Sequence, residues 1–284
     1  MAEAAERNLP PVWQGHWDRL PDYAALLTAR HEAHGDTFRR MIAYLPMSAE
    51  DAVLDVAIGD GFFTDLLARR CPRGRVVGVD IEPEFLELAE DAYVDRRRAA
   101  LIAGDTYALP FEDGSFDLVW CAHSLRSLPD AVAAVREWKR VLRPRGRLAI
   151  LENDGLHGLV LSWSPEAGLA FYRAECHAAG EKATREPGGL HSGRRLIRVV
   201  QEAGLAAESR ETYTRDIFPP VSDADRDYLA AHLDSMRETA WAHLSNAEQL
   251  QFGPLITPGS PDYLLDRPDL EATFIDTVLV AAKT

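Results

Sequence analysis

The chain has 284 residues, enough for one large domain with a sizeable core or for a domain with a cap. Its formal net charge of −14 argues against nucleic-acid substrates, because binding phosphates would need a basic face. The three cysteines have neither metal nor disulfide spacing, which predicts a reducing, cytoplasmic location, and no apolar run reaches membrane-spanning length. The N-terminus lacks the basic-then-apolar pattern of a secretion signal. We therefore expect neutral or cationic small-molecule substrates, with neither nucleic acid nor membrane as a partner.

Residues 1–45 carry aromatic and apolar residues whose spacing suits one or two amphipathic helices. Such a helical cap either packs on the core or covers a binding site. His31, His34 and Asp36 offer metal-ligating atoms within it. An i, i+3 histidine pair on a helix is commoner as surface or capping chemistry, so we predict no metal site.

A strand, a tight turn and a helix start follow one another at residues 51–70. A short apolar run rich in β-branched residues breaks at Gly59 and Gly61, and an amphipathic helix is predicted over 62–71. Gly59 allows the backbone to turn sharply, and Gly61 allows it to pass close to a ligand without an intervening Cβ. This pattern is typical of the opening half of a βαβ nucleotide-binding unit.

A second predicted strand, 75–81, contains a carboxylate near its end. Asp80 lies about 20 residues beyond the glycine turn, where a ribose-binding acid is expected in a nucleotide-binding fold. The alternative is a solvated acid that caps the helix predicted over 84–92. The spacing favours ribose binding.

The residues around the turn indicate which nucleotide is bound. A dinucleotide fingerprint requires a third glycine where this chain has Thr64, which follows the bulky Phe62 and Phe63. Asp55, on the strand ahead of the glycines, would repel a pyrophosphate but suits a ligand with an ammonium group. A nicotinamide-dependent oxidoreductase is therefore disfavoured.

The stretch Asp55-x-Ala57-x-Gly59-x-Gly61 resembles the first motif of the class I S-adenosylmethionine-dependent methyltransferases, acid-x-Gly-x-Gly-x-Gly. Ala57 replaces the first glycine. We interpret this only as evidence that the position tolerates the side chain of alanine. Three further segments match in family order, at residues 103–111, 113–120 and 141–151. The resemblance extends from Val53 to Leu151.

This resemblance implies a fold, a cofactor and a set of binding residues. The fold would be α/β, a Rossmann-like doubly wound sheet that is mostly parallel with an antiparallel last strand, plus helical cap elements. The cofactor would be S-adenosylmethionine, with S-adenosylhomocysteine as its product. Asp80 would hold the ribose, Asp105 the adenine amine and Ile81 the adenine face. The methionine end would meet Asp55, Gly59 and Gly61, and the remaining predicted cofactor contacts are Ala57, Thr106 and Cys121.

The loop after the fourth predicted strand, 121–126, is where methyltransferase chemistry usually approaches the sulfonium in this family. It lacks the acid/Asn-Pro-Pro-aromatic motif of enzymes that methylate amide or exocyclic ring nitrogens, whereas residues 124–130 are similar to the corresponding loop of quinone-biosynthesis C-methyltransferases. His123 is the candidate general base, since imidazole can take a phenol or hydroxyl proton near neutral pH. The alternative is that His123 packs against the cofactor's methionine part or caps the next helix.

The predicted organisation divides the chain into six parts. After the cap come a cofactor-binding core at 46–151, a substrate-side insertion at 152–190 and a core continuation at 191–216. A helical insertion at 217–270, serving as a cap or as the contact of a homodimer, precedes the final strand within 271–284. Within these parts the predicted elements are helices over 130–142, 192–203 and 223–241, strands over 205–214 and 272–282, and a turn-rich segment over 253–261. Further candidate bases in the insertions are His157, Tyr172, Glu175, His177 and His191.

These expectations lead to one preferred function. A methyltransferase would move a methyl group to oxygen or carbon of a small-molecule acceptor, of secondary-metabolite or quinone-like type. The main alternative is a non-methylating S-adenosylmethionine-binding protein, a cyclase or a partner subunit, on the same fold. An NAD-dependent oxidoreductase ranks last.

Overall fold

The computed structural model describes residues 20–153, 158–182 and 192–284. Trp13, Trp17, His157, His191 and residues 186–189 lie outside these ranges. The helices are α1 Leu20–Tyr44, α2 Phe62–Arg70, α3 Pro83–Ala92, α4 Ala131–Val141, α5 Pro165–Lys182, α6 Ser192–Glu202, α7 Asp223–Ala240 and α8 Asn246–Ile256. The strands are β1 Ala52–Val56, β2 Arg75–Asp80, β3 Ala99–Ala103, β4 Phe116–Ala122, β5 Leu142–Glu152, β6 Leu159–Leu161, β7 Ala206–Ile217 and β8 Ala272–Ala282.

The strands form one mixed sheet in the order β3-β2-β1-β4-β5-β8, with β7 and the short β6 also paired to β8. The first five of these strands are parallel, and β8 runs antiparallel to β5, β6 and β7. The sheet is therefore mostly parallel with an antiparallel final strand, as the resemblance implied. The strands are added outward in one direction from β1 to β3 and in the other from β4 to β5, so a ligand cleft is expected at the carboxyl ends of β1 and β4.

Two apolar layers enclose the sheet. All five residues of β1 are buried, as expected for a strand covered on both faces. One layer packs α1, α2 and α3 on the sheet, and the other packs α4 and α6 on the opposite face. Successive strand residues alternate between the layers, so Val53 faces the first and Leu54 the second. The alternation of apolar strands with amphipathic helices thus fixes the core.

A third apolar cluster lies beyond the sheet's carboxyl edge. It joins α5, α7 and α8 to the beginning of β8, and side chains of α1 pack against it. The segment between β7 and β8 is helical, with Ser222 capping α7 and a Ser245–Glu248 capping box starting α8. Within the described ranges, no helix combines the length and apolar character needed to cross a membrane.

Two local predictions are wrong. The helix predicted over 130–142 ends at Val141, because β5 already begins at Leu142, and residues 143–146 bulge opposite β4. The turn-rich segment was expected to begin at residue 253, but α8 continues to Ile256. Gly253 lies within this helix. Its missing side chain leaves space for the Trp241 ring, since an added Cβ would lie 2.6 Å from Cη2 of that ring.

Candidate functional site

The glycine turn lies at the carboxyl end of β1 and is built from left-handed residues. Ala57, Gly59 and Gly61 have φ angles of 57°, 55° and 79°. A left-handed non-glycine residue costs about 1–2 kcal/mol, so Ala57 carries backbone strain in addition to its methyl group. Its amide donates a 2.8 Å hydrogen bond to the Val79 carbonyl, which ties the turn to β2.

The structure corrects the reason for Gly61. A Cβ at this position would lie 2.6 Å from Ala89 Cβ and 2.7 Å from Val94 Cγ2. The missing side chain therefore allows the start of α2 to pack against α3 and its following loop, rather than allowing a ligand to approach. Gly59 instead faces α1, since a Cβ there would lie 3.3 Å from Leu27 Cδ1.

Asp80 ends β2 directly beside this turn. Its Oδ2 accepts a hydrogen bond from the Gly59 amide at 3.1 Å, and its Oδ1 accepts one from the Glu82 amide at 3.1 Å. Burial raises the pKa of Asp80 to about 6, because desolvation penalises the charged carboxylate. The adjacent Ile81 is 40% exposed, an apolar surface beside a polar anchor.

Asp55, on β1, is 2% exposed and accepts a 2.7 Å hydrogen bond from the Thr64 hydroxyl. Burial raises its pKa to about 7, and the nearby negative charges of Asp80 and Asp60 contribute in the same direction. Within the described part of the chain, neither Asp55 nor Asp80 has a salt-bridge partner. The site thus holds an excess of buried negative charge, which suits a cationic ligand.

The predicted adenine-side residues follow β3. Asp105 is exposed, and its Oδ1 accepts a hydrogen bond from the Tyr107 amide at 2.8 Å. Thr106 Oγ1 accepts a hydrogen bond from the Trp138 indole at 2.7 Å, which holds this hydroxyl against α4. Asp105 is therefore accessible to a ligand, whereas the side chain of Thr106 is committed to a contact within the protein.

Cys121, predicted as a cofactor contact, has its thiol in the apolar core, and a contact through its backbone stays a prediction. Cys121 is fully buried in the apolar layer between the sheet and α4, and this burial raises the pKa of its thiol well above the usual range. Only its backbone is available near the cleft. The cysteine was placed in the site because it ends β4, but the alternation of strand side chains directs the thiol into the core.

His123 lies just beyond β4 in a left-handed conformation, with φ 52°. Its amide donates a 2.8 Å hydrogen bond to the Leu151 carbonyl of β5. The imidazole is 10% exposed, and its Nε2 lies 3.8 Å from Oδ1 of Asp276 on β8. Arg30 of α1 contacts the same Oδ1 at 3.1 Å. The buried carboxylate of Asp276 on β8 therefore lies between Arg30 of α1 and the candidate base.

The middle of α1 packs on the glycine turn. His31 Nδ1 lies 2.7 Å from Asp60 Oδ2 in the glycine turn, and the His31 ring stacks on Phe62 at 4.3 Å between centroids. His34 is 1% exposed among aromatic rings, and burial together with the nearby positive charges of Arg30, Arg215 and His31 lowers its pKa to about 2. Because Asp36 pairs instead with Arg39, the three residues weighed as metal ligands do not converge.

Of the further candidate bases, three lie on α5. Glu175 and Tyr172 are half-buried and His177 is exposed. Burial raises the pKa of Glu175 to about 7. A separate groove of about 260 Å³ between the end of α1 and strands β7 and β8 contains none of the predicted site residues.

Sequence reasoning missed Asp60, Thr64 and Asp276 as members of this region. Asp60 was visible as the acid within the glycine turn, and Asp276 as the single acid inside an apolar strand sequence. Their partners were not visible. Arg30 and Asp276 are 246 residues apart in the chain, and no local pattern links them.

Comparison with known proteins agrees with this architecture. Residues 54–150 match the model of the methyltransferase domain family, described as "Methyltransferase domain". This segment of the chain is therefore similar to the methyltransferase domain family. Among curated relatives, it is similar to the demethylmenaquinone methyltransferase of Staphylococcus aureus, with 34% identity over 124 residues. That alignment covers 43% of this chain and 52% of the relative, so the chain spans about half the length of the curated relatives it matches.

Solved structures share the fold at low sequence identity. The YcgJ protein of Bacillus subtilis aligns with a TM-score of 0.52 and 19% identity, covering 89% of this chain and 98% of the other. A geranyl diphosphate methyltransferase solved with S-adenosylmethionine aligns with a TM-score of 0.51 and 15% identity, covering 91% and 89%. These similarities extend the common fold beyond the family domain to most of the described chain.

Proposed function

We propose that this protein transfers the methyl group of S-adenosylmethionine to an oxygen or carbon atom of a small-molecule acceptor. The observation that carries the proposal is the pair of buried carboxylates, Asp55 and Asp80, for which residues 20–153, 158–182 and 192–284 provide no cationic partner. S-adenosylmethionine brings an ammonium and a sulfonium group, which would supply the missing positive charge. The match to a demethylmenaquinone methyltransferase makes a hydroxylated quinol ring the first acceptor class to test.

Each cofactor contact has a chemical basis in the geometry. Asp80 uses one lone pair on each oxygen for a backbone amide and keeps the others for the two ribose hydroxyls. Ile81 offers its exposed side chain to the adenine face, and Asp105 offers a carboxylate oxygen to the adenine amine. Asp55 and the backbone at Gly59 bind the methionine end.

When bound, S-adenosylmethionine supplies an electrophilic methyl group on a sulfonium, so the protein mainly has to align the acceptor with it. Proximity and orientation contribute about 7–11 kcal/mol to reactions of this kind. α1 packs on the glycine turn and thereby limits the access of water to it, and His123 is the proposed base for the acceptor's proton. A general base contributes about 10²- to 10⁴-fold where the acceptor is a hydroxyl or a phenol.

The test is incubation with methyl-deuterated S-adenosylmethionine and a panel of quinols, phenols and a small-metabolite extract, read by mass spectrometry. We expect a product heavier by one trideuterated methyl group. Asp80→Ala and Asp105→Ala should each weaken binding of S-adenosylhomocysteine in calorimetry, while Asp117→Asn, at the amino end of β4, should leave it unchanged. Tight cofactor binding without any labelled product would favour the non-methylating alternative.

A further inference from the structure

We propose that β7 is the contact of a homodimer, in which it pairs antiparallel with β7 of a second copy of this chain. Among the described residues, β8 is the strand with which β7 pairs, so β7 forms an edge of the sheet. The outward-facing N–H and C=O groups of an edge strand are free to pair with another strand. Pairing of the two β7 strands joins the sheets of both copies into one.

β7 is uncovered on both of its faces as well as along its edge. Each of residues 206–212 is exposed, although successive side chains of a strand point to opposite faces. In β1, by contrast, both faces are covered and all five residues are buried. The 12-residue strand β7 therefore offers a second copy a long run of backbone together with side chains on both faces.

The charges along β7 select a second copy as the occupant of this edge. Arg210 and Glu211 precede Tyr213, and Arg215 and Asp216 follow it. In an antiparallel pair centred on Tyr213, Arg210 lies directly opposite Asp216 of the partner subunit. Glu211 then lies directly opposite Arg215 of the partner subunit. Both are pairs of opposite charge, and twofold symmetry makes each of them occur twice.

Other registers lack this complementarity. The outward hydrogen-bonding groups of an edge strand belong to every second residue, so a symmetric antiparallel pair is centred on a residue and not between two residues. Like charges lie directly opposite each other when the pair is centred on Arg210, Glu211 or Arg215. A centre on either threonine next to Tyr213 places no charged residue opposite one of the other sign. The charge pattern therefore favours the register centred on Tyr213.

Three of the four charged side chains have free capacity on the surface. Arg210 is exposed and has no ion pair within residues 20–153, 158–182 and 192–284. Glu211 accepts a hydrogen bond from the Tyr213 hydroxyl through Oε2, and Asp216 accepts one from the Thr273 hydroxyl through Oδ1. The second oxygen of each carboxylate is left for an arginine of the partner subunit.

Arg215 contributes through the part of its guanidinium that its own ion pair leaves open. Its Nη2 donates a 2.9 Å hydrogen bond to Oδ2 of Asp225, which fastens β7 to the first turn of α7. The Arg215 side chain is still 25% exposed. A guanidinium has five N–H donors and can serve two carboxylates. Glu211 of the partner subunit therefore extends the existing pair instead of replacing it.

The groove beside β7 adds apolar surface to this contact. It has a volume of about 260 Å³ and is lined by Met41, Val278 and Val280 among others. Tyr44 at its side is 74% exposed. Tyr213 also lines the groove, so a twofold axis at Tyr213 brings the grooves of the two copies together. Removing these apolar side chains from water favours association.

Sedimentation equilibrium of the full chain tests the dimer and needs neither cofactor nor acceptor. We expect the wild type to dimerise. Arg210→Glu and Asp216→Arg should each weaken the dimer about tenfold or more, because each places like charges opposite each other at two symmetry-related positions. The double variant should regain most of the wild-type affinity, since it exchanges the two signs. A monomeric wild type, or a double variant that associates no more tightly than the single variants, would overturn the inference.

Arg97→Glu is the matched control for Arg210→Glu. Arg97 lies just before β3, at the opposite edge of the sheet, and its side chain is 91% exposed. The substitution changes the net charge by the same amount as Arg210→Glu. It should leave the dimer affinity unchanged, and an equal loss in both variants would show that net charge and not strand pairing governs association.

A distance measurement tests the register. A spin label on Ser209→Cys is placed in a background with Cys176→Ser, because Cys71 and Cys121 are buried. Ser209 lies four residues from Tyr213, so at about 3.4 Å per residue the two labelled positions are about 27 Å apart along the paired strands. The next register on either side changes this separation by about 7 Å. Double electron–electron resonance that shows no coupling between copies, or a separation one register away, would refute the pairing centred on Tyr213.

Discussion

Replacing Asp55 by Asn should have opposite effects on stability and on cofactor binding. Asparagine has nearly the same shape and can still accept the hydrogen bond from Thr64. It removes only the charge. Burial raises the pKa of Asp55 from 3.8 to about 7, which means that the ionised carboxylate is disfavoured in the folded protein.

The sign of the stability effect follows from linkage. A carboxyl with a raised pKa in the fold binds its proton more tightly there than in the unfolded chain. Its stabilising contribution is complete below pH 3.8 and is lost as the pH rises through about 7. At about 1.4 kcal/mol for each pKa unit, the ionised form costs the wild type at most about 4 kcal/mol at pH 8. Asp55→Asn should therefore be more stable than the wild type at pH 8, by about 1–4 kcal/mol, and this advantage should shrink towards pH 5.

The effect on binding has the opposite sign. A hydrogen bond to a charged group is worth about 1.5–3 kcal/mol, so loss of the carboxylate should weaken binding of S-adenosylhomocysteine roughly 10- to 150-fold. Urea unfolding of the cofactor-free protein at pH 5 and pH 8 measures the first effect, and calorimetry measures the second. Asp117→Asn, with its carboxylate on Arg143 and the Ala52 amide, serves as the control away from the cleft. A stability difference that stays constant between the two pH values would refute the reasoning.

Three further substitutions test the structure of the cleft. Ala57→Gly should raise the free energy of unfolding by about 0.5–1 kcal/mol, because glycine relieves the left-handed strain and loses only part of that gain to greater freedom in the unfolded chain. Gly61→Ala should lower it by more than about 2 kcal/mol, since the new methyl group clashes with α3 in a left-handed backbone. His31→Phe should lower it by about 1–3 kcal/mol by leaving Asp60 without its imidazole partner while retaining the stacked ring.

Urea unfolding at a single pH checks all three. For Ala57→Gly, a loss of stability would mean that the methyl group makes favourable contacts that outweigh the strain. For Gly61→Ala, a free energy of unfolding equal to that of the wild type would show that α3 can shift to accommodate the new methyl group at little cost. For His31→Phe, the matched variant Arg39→Met, which breaks an exposed pair with Asp36, should change stability by less than about 1 kcal/mol. An equal effect of the two variants would contradict a special role for the buried pair.

The sheet and its helices were predictable because local patterns determine them. The apolar run 272–282 reads as a strand and forms one, and the amphipathic segment after the glycine turn forms α2 within one residue of its predicted end. The turn-rich segment was predicted to begin at residue 253, but α8 contains Gly253 and Pro254 and ends at Ile256. A proline is tolerated there because it removes only one intrahelical hydrogen bond near the end of the helix. The division into domains and the roles of the individual site residues stay predictions.

The candidate site was less predictable than the fold. The acids Asp55, Asp80 and Asp105 could be placed at one edge, since each lies near the carboxyl end of a parallel strand. The face to which a side chain points at a strand end is decided by register, which is why Cys121 was assigned to the cleft and lies in the core. The contacts between α1 and the sheet depend on tertiary packing across most of the chain length.

The position of β8 has a consequence for how the molecule acquires its structure. This strand follows every other described element in the chain, yet it pairs with both β5 and β7 and carries apolar side chains of both layers. During synthesis, the segment from β1 to β5 can begin to collapse before β8 is made. β7 then has no strand to pair with, because its partner in the sheet is β8. The incomplete nascent chain therefore exposes the unpaired edges of β5 and β7, and such edges promote aggregation. We expect nascent chains stopped before residue 272 to depend on a chaperone, and full-length chains to become protease-resistant only after β8 is available.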